Sequence, residues 1–168
     1  MPDDQVRSDE VRSRTVAAGD VELHVLEAGT EGPVVLLAHG FPELAWSWRH
    51  QLPALARAGY RAVAPDQRGY GRSSRPAELE AYDIHHLTGD LLAVLDAVGA
   101  DRAVVVGHDW GSMVASHLAL LHPDRVRALV NMSVPHLPRG EVAPTEALRA
   151  VAGDSFVYIL YFQEPGVA

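Results

Sequence analysis

An α/β fold with a mostly parallel sheet is what this sequence predicts, and three observations carry that reading. The runs "PVVLLA" (33–38) and "AVVV" (103–106) are continuously apolar, as strands buried on both faces are. Between them, Ile84, Leu87, Leu91, Leu95 and Val98 step by threes and fours, the period of an amphipathic helix. Strands that alternate with helices build βαβ units, whose strands lie parallel.

Taken in order, the chain opens on "MPDDQVRSDEVRSR", which is polar and has no apolar segment. Residues 1–14 read as a flexible solvated tail rather than a secretory signal. In "RTVAAGDVELHVLEAG" two short apolar runs flank Gly19-Asp20, a hairpin turn signal. The strand "PVVLLA" then runs into His39-Gly40. Apolar residues at 48, 52 and 55 predict a helix over 48–58. "YRAVAP" is the next strand, and "DQRGYGRSSRP" a turn-rich loop. The helix from Ile84 follows, then the strand "AVVVGH". A helix through "GSMVASHLALLHP" is stopped by Pro123, and "VRALVNMSV" is a further strand. Past Pro135 the strand-helix rhythm ceases, in a stretch with three prolines and an aromatic cluster.

Composition narrows the function classes. Of 168 residues, 48% are apolar and 21% charged, which is globular rather than disordered composition. A formal charge of −8 without a basic cluster makes nucleic acid and anionic membrane surfaces poor partners. There is no cysteine, hence no disulfide or thiolate metal site. No apolar run reaches the roughly 18 residues of a membrane span. The default location is the cytoplasm. Nothing in the sequence fixes an oligomeric state.

Ligands of open α/β sheets sit beyond the carboxyl ends of the strands. Three segments deliver chemistry there: "HGFPE", "PDQRGYG" and "GHDWGS". The last has the form of a nucleophile elbow, with Asp109 between Gly107 and Gly111 at a strand-to-helix turn. A lone G-x-D-x-G is more often a turn with a capping aspartate. A buried strand before it and a helix after it reverse that balance, because the helix N-terminus favours an ionised carboxylate. Trp46 and Trp48 read as packing, His39 as a loop-ordering residue and His108 as support. His85, His86, His122 and His136 show no metal-ligand spacing.

Together, "HGFPELAWSWRHQLPALARAGYRAVAPDQRGYGRSSRP", "VVGHDWGSMVA" and "VYILYFQEPGVA" resemble the N-terminal half of a soluble epoxide hydrolase, a branch of the α/β-hydrolase superfamily. The resemblance runs from about Arg14 to the last residue. It implies an α/β-hydrolase core over 15–137, truncated at the start of a helical lid over 138–168. Asp109 is then the nucleophile, and the backbone N–H groups of Phe41 and Trp110 the oxyanion hole. Tyr158 is the lid donor to the epoxide oxygen, although Phe156, Tyr158, Tyr161 and Phe162 also have the spacing of a packed aromatic patch. Pro42 turns the oxyanion loop, and the glycines of "DQRGYG" shape its neighbour. Phe41, Trp110, Tyr158 and Leu137 frame an apolar small-molecule epoxide.

The residue types suit that chemistry. A carboxylate is ionised at neutral pH, attacks carbon without a base and leaves an ester that water can cleave. The departing alkoxide needs a proton donor, and the ester's tetrahedral oxyanion needs N–H donors. No cofactor or metal is required. The family's acid and histidine follow the nucleophile, and no candidate for them stands here. His117 falls in the helix behind the elbow, His122 precedes a proline, and His136 opens the lid connection. The second lid tyrosine is absent too, so the sequence reads as a fragment that cannot complete turnover alone.

Two other readings stay open. A haloalkane dehalogenase shares the aspartate and the tryptophan, but Phe41 offers no second side-chain donor for a halide. Fluoroacetate dehalogenases place an arginine where Trp110 stands. The other reading is a non-catalytic remnant of the same fold.

Overall fold

A computed structural model describes residues 10–136, 140–153 and 155–163. Two compact units emerge, Met1–His136 and Leu137–Ala168. The first contains a six-stranded sheet in the order β1-β2-β4-β3-β5-β6.

Strands β1 (Arg12–Ala18) and β2 (Val21–Ala28) form an antiparallel hairpin with Arg12 opposite Glu27 and Ala18 opposite Val21. The turn uses Gly19 at φ +63°, a left-handed conformation that glycine adopts without steric cost. β1 thus begins inside the stretch read as tail. Arg12–Arg14 are held by pairing with β2, a contact between distant residues that local polarity does not reveal.

β2 pairs antiparallel with β4 (Arg61–Pro65). β4, β3 (Val34–Ala38), β5 (Ala103–His108) and β6 (Val126–Met132) pair in parallel. All five residues of β3 are buried, as expected for a strand covered on both faces. Period-two alternation divides them: Val34, Leu36 and Ala38 face one core, Val35 and Leu37 the other.

The first core is closed by α2 (Ile84–Ala97) and α3 (Trp110–Leu121), which bury Leu91, Val94, Leu95, Val114, Ala115 and Leu118. Asp83 caps α2 by accepting the His86 N–H at 2.9 Å. The second core lies under α1 (Gln51–Arg57), which contributes Leu52 and Ala56. The helix predicted over 48–58 is in fact two pieces, a 3₁₀ turn at Ala45–Trp48 and then α1. Pro53 explains the break. It lacks an N–H and clashes with the carbonyl four residues back, so it is tolerated only in a first helical turn.

The second unit contains α4 (Pro144–Ala152), which opens on a proline, and the short α5 (Tyr158–Tyr161). Its aromatic residues cluster: Tyr161 lies 5.6 Å from Phe156 and 5.5 Å from Phe162, ring centre to ring centre. Leu137, expected at the substrate pocket, lies outside the described residues. Among the described residues no helix is long and apolar enough to cross a membrane.

Candidate active site

The parallel strands β3, β4 and β5 end side by side and release three loops at one edge of the sheet. β5 ends at His108, and Asp109 turns the chain into α3 with φ +53° and ψ −122°. A non-glycine residue at positive φ is strained and persists only where its surroundings enforce it. Those surroundings are visible. The Asp109 N–H donates to Met132 O at 3.1 Å, and the Ser112 N–H donates to Asp109 O at 2.9 Å. A Cβ at Gly107 would collide with the Gly111 carbonyl and Ser112, and one at Gly111 with the carbonyls of Ala38 and His39. Two glycines are therefore the condition for so sharp an elbow.

The structure brings Asp109 and Phe41 together. Asp109 Oδ1 accepts the Phe41 N–H at 2.9 Å across 68 residues of sequence. Gly40 makes the approach possible, since a Cβ there would meet Asp109 and the His108 carbonyl. Trp110 is the first residue of α3, so its N–H has no carbonyl within the helix to donate to. Phe41 and Trp110 both expose side-chain surface beside the carboxylate loop. Three of the four expected site residues thus meet in the first unit. Tyr158 is the first residue of α5 in the second unit, half exposed, with its ring 6.4 Å from that of Phe162.

Around this core stand Glu43, Asp66, Gln67 and Tyr70, to which sequence reasoning gave no role. Glu43 Oε2 accepts the Gly40 N–H at 3.1 Å and the His108 ring nitrogen Nδ1 at 2.9 Å. His108 is thereby the support expected of it. Burial opposes ionisation of Glu43, but the hydrogen bonds from His108 and Gly40 outweigh it and lower its pKa. The only local signal was an acid placed close after a His-Gly pair.

His39 is fully buried. Its Nε2 accepts the Gln67 N–H at 3.0 Å, so its proton sits on Nδ1, which donates to Gly40 O at 2.9 Å. Burial is the largest influence on His39 and lowers its pKa below 6.5, against the Gly40 carbonyl and the carboxylates of Asp66 and Glu43. Tyr70 sets its ring edge-on to His39 at 5.0 Å. Burial and then the charge of Asp109 raise the Tyr70 pKa.

Asp66, after β4, ties three segments together. Oδ1 accepts the Ala45 N–H at 2.8 Å, and Oδ2 lies 2.9 Å from His24 Nδ1 and accepts the Arg72 N–H at 3.1 Å. Gly71, at φ +53°, packs against this carboxylate where a Cβ would collide with it. The glycine loop is shaped as expected, with a buried acid at its centre. Among the described residues no group of three His, Asp or Glu side chains is placed to hold a metal ion.

The two lowered pKa values give a signed pH dependence. Unfolded His39 takes up a proton near 6.5 while the folded, neutral ring resists it, so the unfolded chain binds more protons just below that pH. Glu43 acts in the same direction at lower pH, because its stabilisation is lost as pH falls through its depressed folded pKa. Stability is expected to fall in two stages on acidification, the first beginning near pH 6.5. Urea midpoints measured at intervals from pH 8 to about 3.5 check this. A midpoint that stays flat or rises on acidification through the first stage contradicts it.

A family model described as the alpha/beta hydrolase fold matches residues 33–158, and the chain belongs to that family. Epoxide hydrolase A of Mycobacterium tuberculosis is 64% identical over 156 residues, which is 92% of this chain and 48% of that protein. Epoxide hydrolase 3 of Siraitia grosvenorii is 47% identical over 161 residues, 95% of this chain and 50% of the plant protein. The crystal structure of Epoxide Hydrolase A from Mycobacterium thermoresistibile superposes with a TM-score of 0.90 at 58% identity, covering 95% of this chain and 50% of that one. The chain spans about half the length of the curated relatives it matches.

Proposed function

We propose that this chain carries the nucleophile half of an epoxide hydrolase, acting on an apolar epoxide, with Asp109 as the attacking group. The observation that carries the reading is the Phe41 N–H on Asp109 Oδ1, at a strained elbow that presents the carboxylate. That bond makes the two carboxylate oxygens unequal. Oδ1 is held by an oxyanion donor, and Oδ2 is the one to attack.

In the first step Oδ2 forms a bond to a ring carbon and the ring C–O bond breaks, with its electron pair leaving on oxygen. The alkoxide takes a proton, the role proposed for the Tyr158 hydroxyl. What remains is an Asp109 ester whose carbonyl oxygen, Oδ1, already faces the Phe41 N–H. Attack of water on that ester would push negative charge onto Oδ1, where the N–H groups of residues 41 and 110 would stabilise it. Activating that water calls for a base. His117 lies two helical turns along α3 from the elbow, with its Nδ1 donating to the Met113 carbonyl at 2.7 Å. We propose that turnover by these 168 residues stops at the ester, and that the base and its acid partner belong to the other half of the family's length.

Exposure to an epoxide, followed by intact mass spectrometry and peptide mapping, tests this. The expected result is a single adduct on the peptide spanning residues 103–125, which contains Asp109, with no sustained diol release. Steady diol production overturns the arrest at the ester, and an adduct elsewhere overturns the role of Asp109. A dehalogenase reading would require the same adduct from a haloalkane and none from the epoxide.

A further inference from the structure

We infer that Gln67 is a positioning residue for the oxyanion loop: acting through His39, it locks the Gly40–Phe41 peptide with its N–H toward Asp109. The inference rests on the reading of Asp109 and Phe41 given above.

In a trans peptide the carbonyl of one residue and the N–H of the next point in opposite directions. The Gly40 carbonyl and the Phe41 N–H are the two ends of one such unit. Whatever grips the Gly40 oxygen therefore aims the Phe41 N–H. Two donors grip it, His39 Nδ1 at 2.9 Å and the Glu43 N–H at 3.0 Å. The grip matters because glycine is the residue least able to hold its own peptide plane. Reversed, this unit would turn a carbonyl oxygen toward the Asp109 carboxylate and remove the donor.

His39 can donate from Nδ1 only if its neutral tautomer is fixed, and Gln67 fixes it. The Gln67 backbone N–H occupies Nε2 at 3.0 Å, and the Gln67 side-chain amide donates to the His39 carbonyl. One residue from the loop after β4 thus holds both the ring and the main chain of His39. Gln67 and His39 are both buried, so water does not replace a lost bond at once. Tyr70, from the same loop, closes the ring's edge.

Gln67→Met keeps the backbone donor and most of the volume but deletes the side-chain grip on the His39 carbonyl. Two measurements on the whole chain test the consequence. The Phe41 amide proton, hydrogen-bonded to a carboxylate, is expected far downfield in the wild type and shifted upfield with faster exchange in Gln67→Met, while amides of β3 and β5 stay put. The single-turnover rate of Asp109 ester formation is expected to fall about tenfold, in line with a small misplacement of a reacting group. A purely structural role would lower the melting temperature and leave the Phe41 signal of the folded fraction unmoved. An unmoved signal with a rate within twofold of wild type overturns the inference.

If Gln67→Met does not fold, the wild type still decides, through the nitrogen-15 shifts of the His39 ring. A proton on Nδ1 supports the lock, and a proton on Nε2 overturns it. The amide measurement needs no epoxide, so failure of the lock and failure of the hydrolase reading are separately visible.

Discussion

Asp109→Asn is expected to abolish ester formation, slowing adduct appearance by on the order of 10³-fold or more while the fold remains. The amide has the carboxylate's shape but not its charge, and is a poor nucleophile toward carbon. Two features make it a clean test. Asparagine matches aspartate in shape and adds no strain at φ +53°, ψ −122° that the aspartate does not already bear, so the elbow is not the reason for any loss. Its side-chain oxygen also still accepts from the Phe41 N–H, so the loop contact at 2.9 Å survives. Intact mass against time with a reactive epoxide reads the rate, and circular dichroism the fold. Removing the charge is also expected to bring the Tyr70 pKa part of the way back toward its ordinary value, since burial, the larger cause of its rise, remains. A variant that acquires the adduct at the wild-type rate moves the nucleophile away from Asp109.

What the sequence revealed and what it hid follow from the range of the interactions. β3 and β5 were legible because burial on both faces writes itself locally as an apolar run. α2 was legible from its period, whereas its cap at Asp83 was not read from the sequence. The elbow was legible because two glycines and an acid must be neighbours in sequence to make it. Glu43, Gln67 and Tyr70 were not, since their partners lie far along the chain. Glu43 meets His108 across 65 residues and Gln67 meets His39 across 28. Nor did polarity at Arg12–Arg14 betray a strand, because the partner that makes it one is β2. The role of Tyr158 came from resemblance alone. Phe162, just past the end of α5, gives its ring a packing partner whatever else it does.

Asp90→Leu is expected to cost about 3–5 kcal/mol of folding stability. Asp90 and Arg68 are both buried, and the guanidinium grips the carboxylate with two bonds, Nε to Oδ2 at 2.7 Å and Nη2 to Oδ1 at 2.6 Å. Burial is the largest influence on Asp90 and raises its pKa even against Arg68, so desolvation outweighs much of the pair's attraction. The hydrogen bonds to Asp90 raise the pKa of Arg68. Such a pair contributes little net stability when complete, yet removing one partner leaves a buried charge uncompensated. The double variant Arg68→Met with Asp90→Leu is therefore expected to be more stable than Asp90→Leu alone. It should not recover fully, because Arg68 also donates to the carbonyls of Ala81 at 2.6 Å and His86 at 3.5 Å, which lose their donor. Urea midpoints of the wild type, both single variants and the double variant measure the coupling. Equal losses for the single and double variants would mean that Asp90 stabilises by packing rather than by neutralising Arg68.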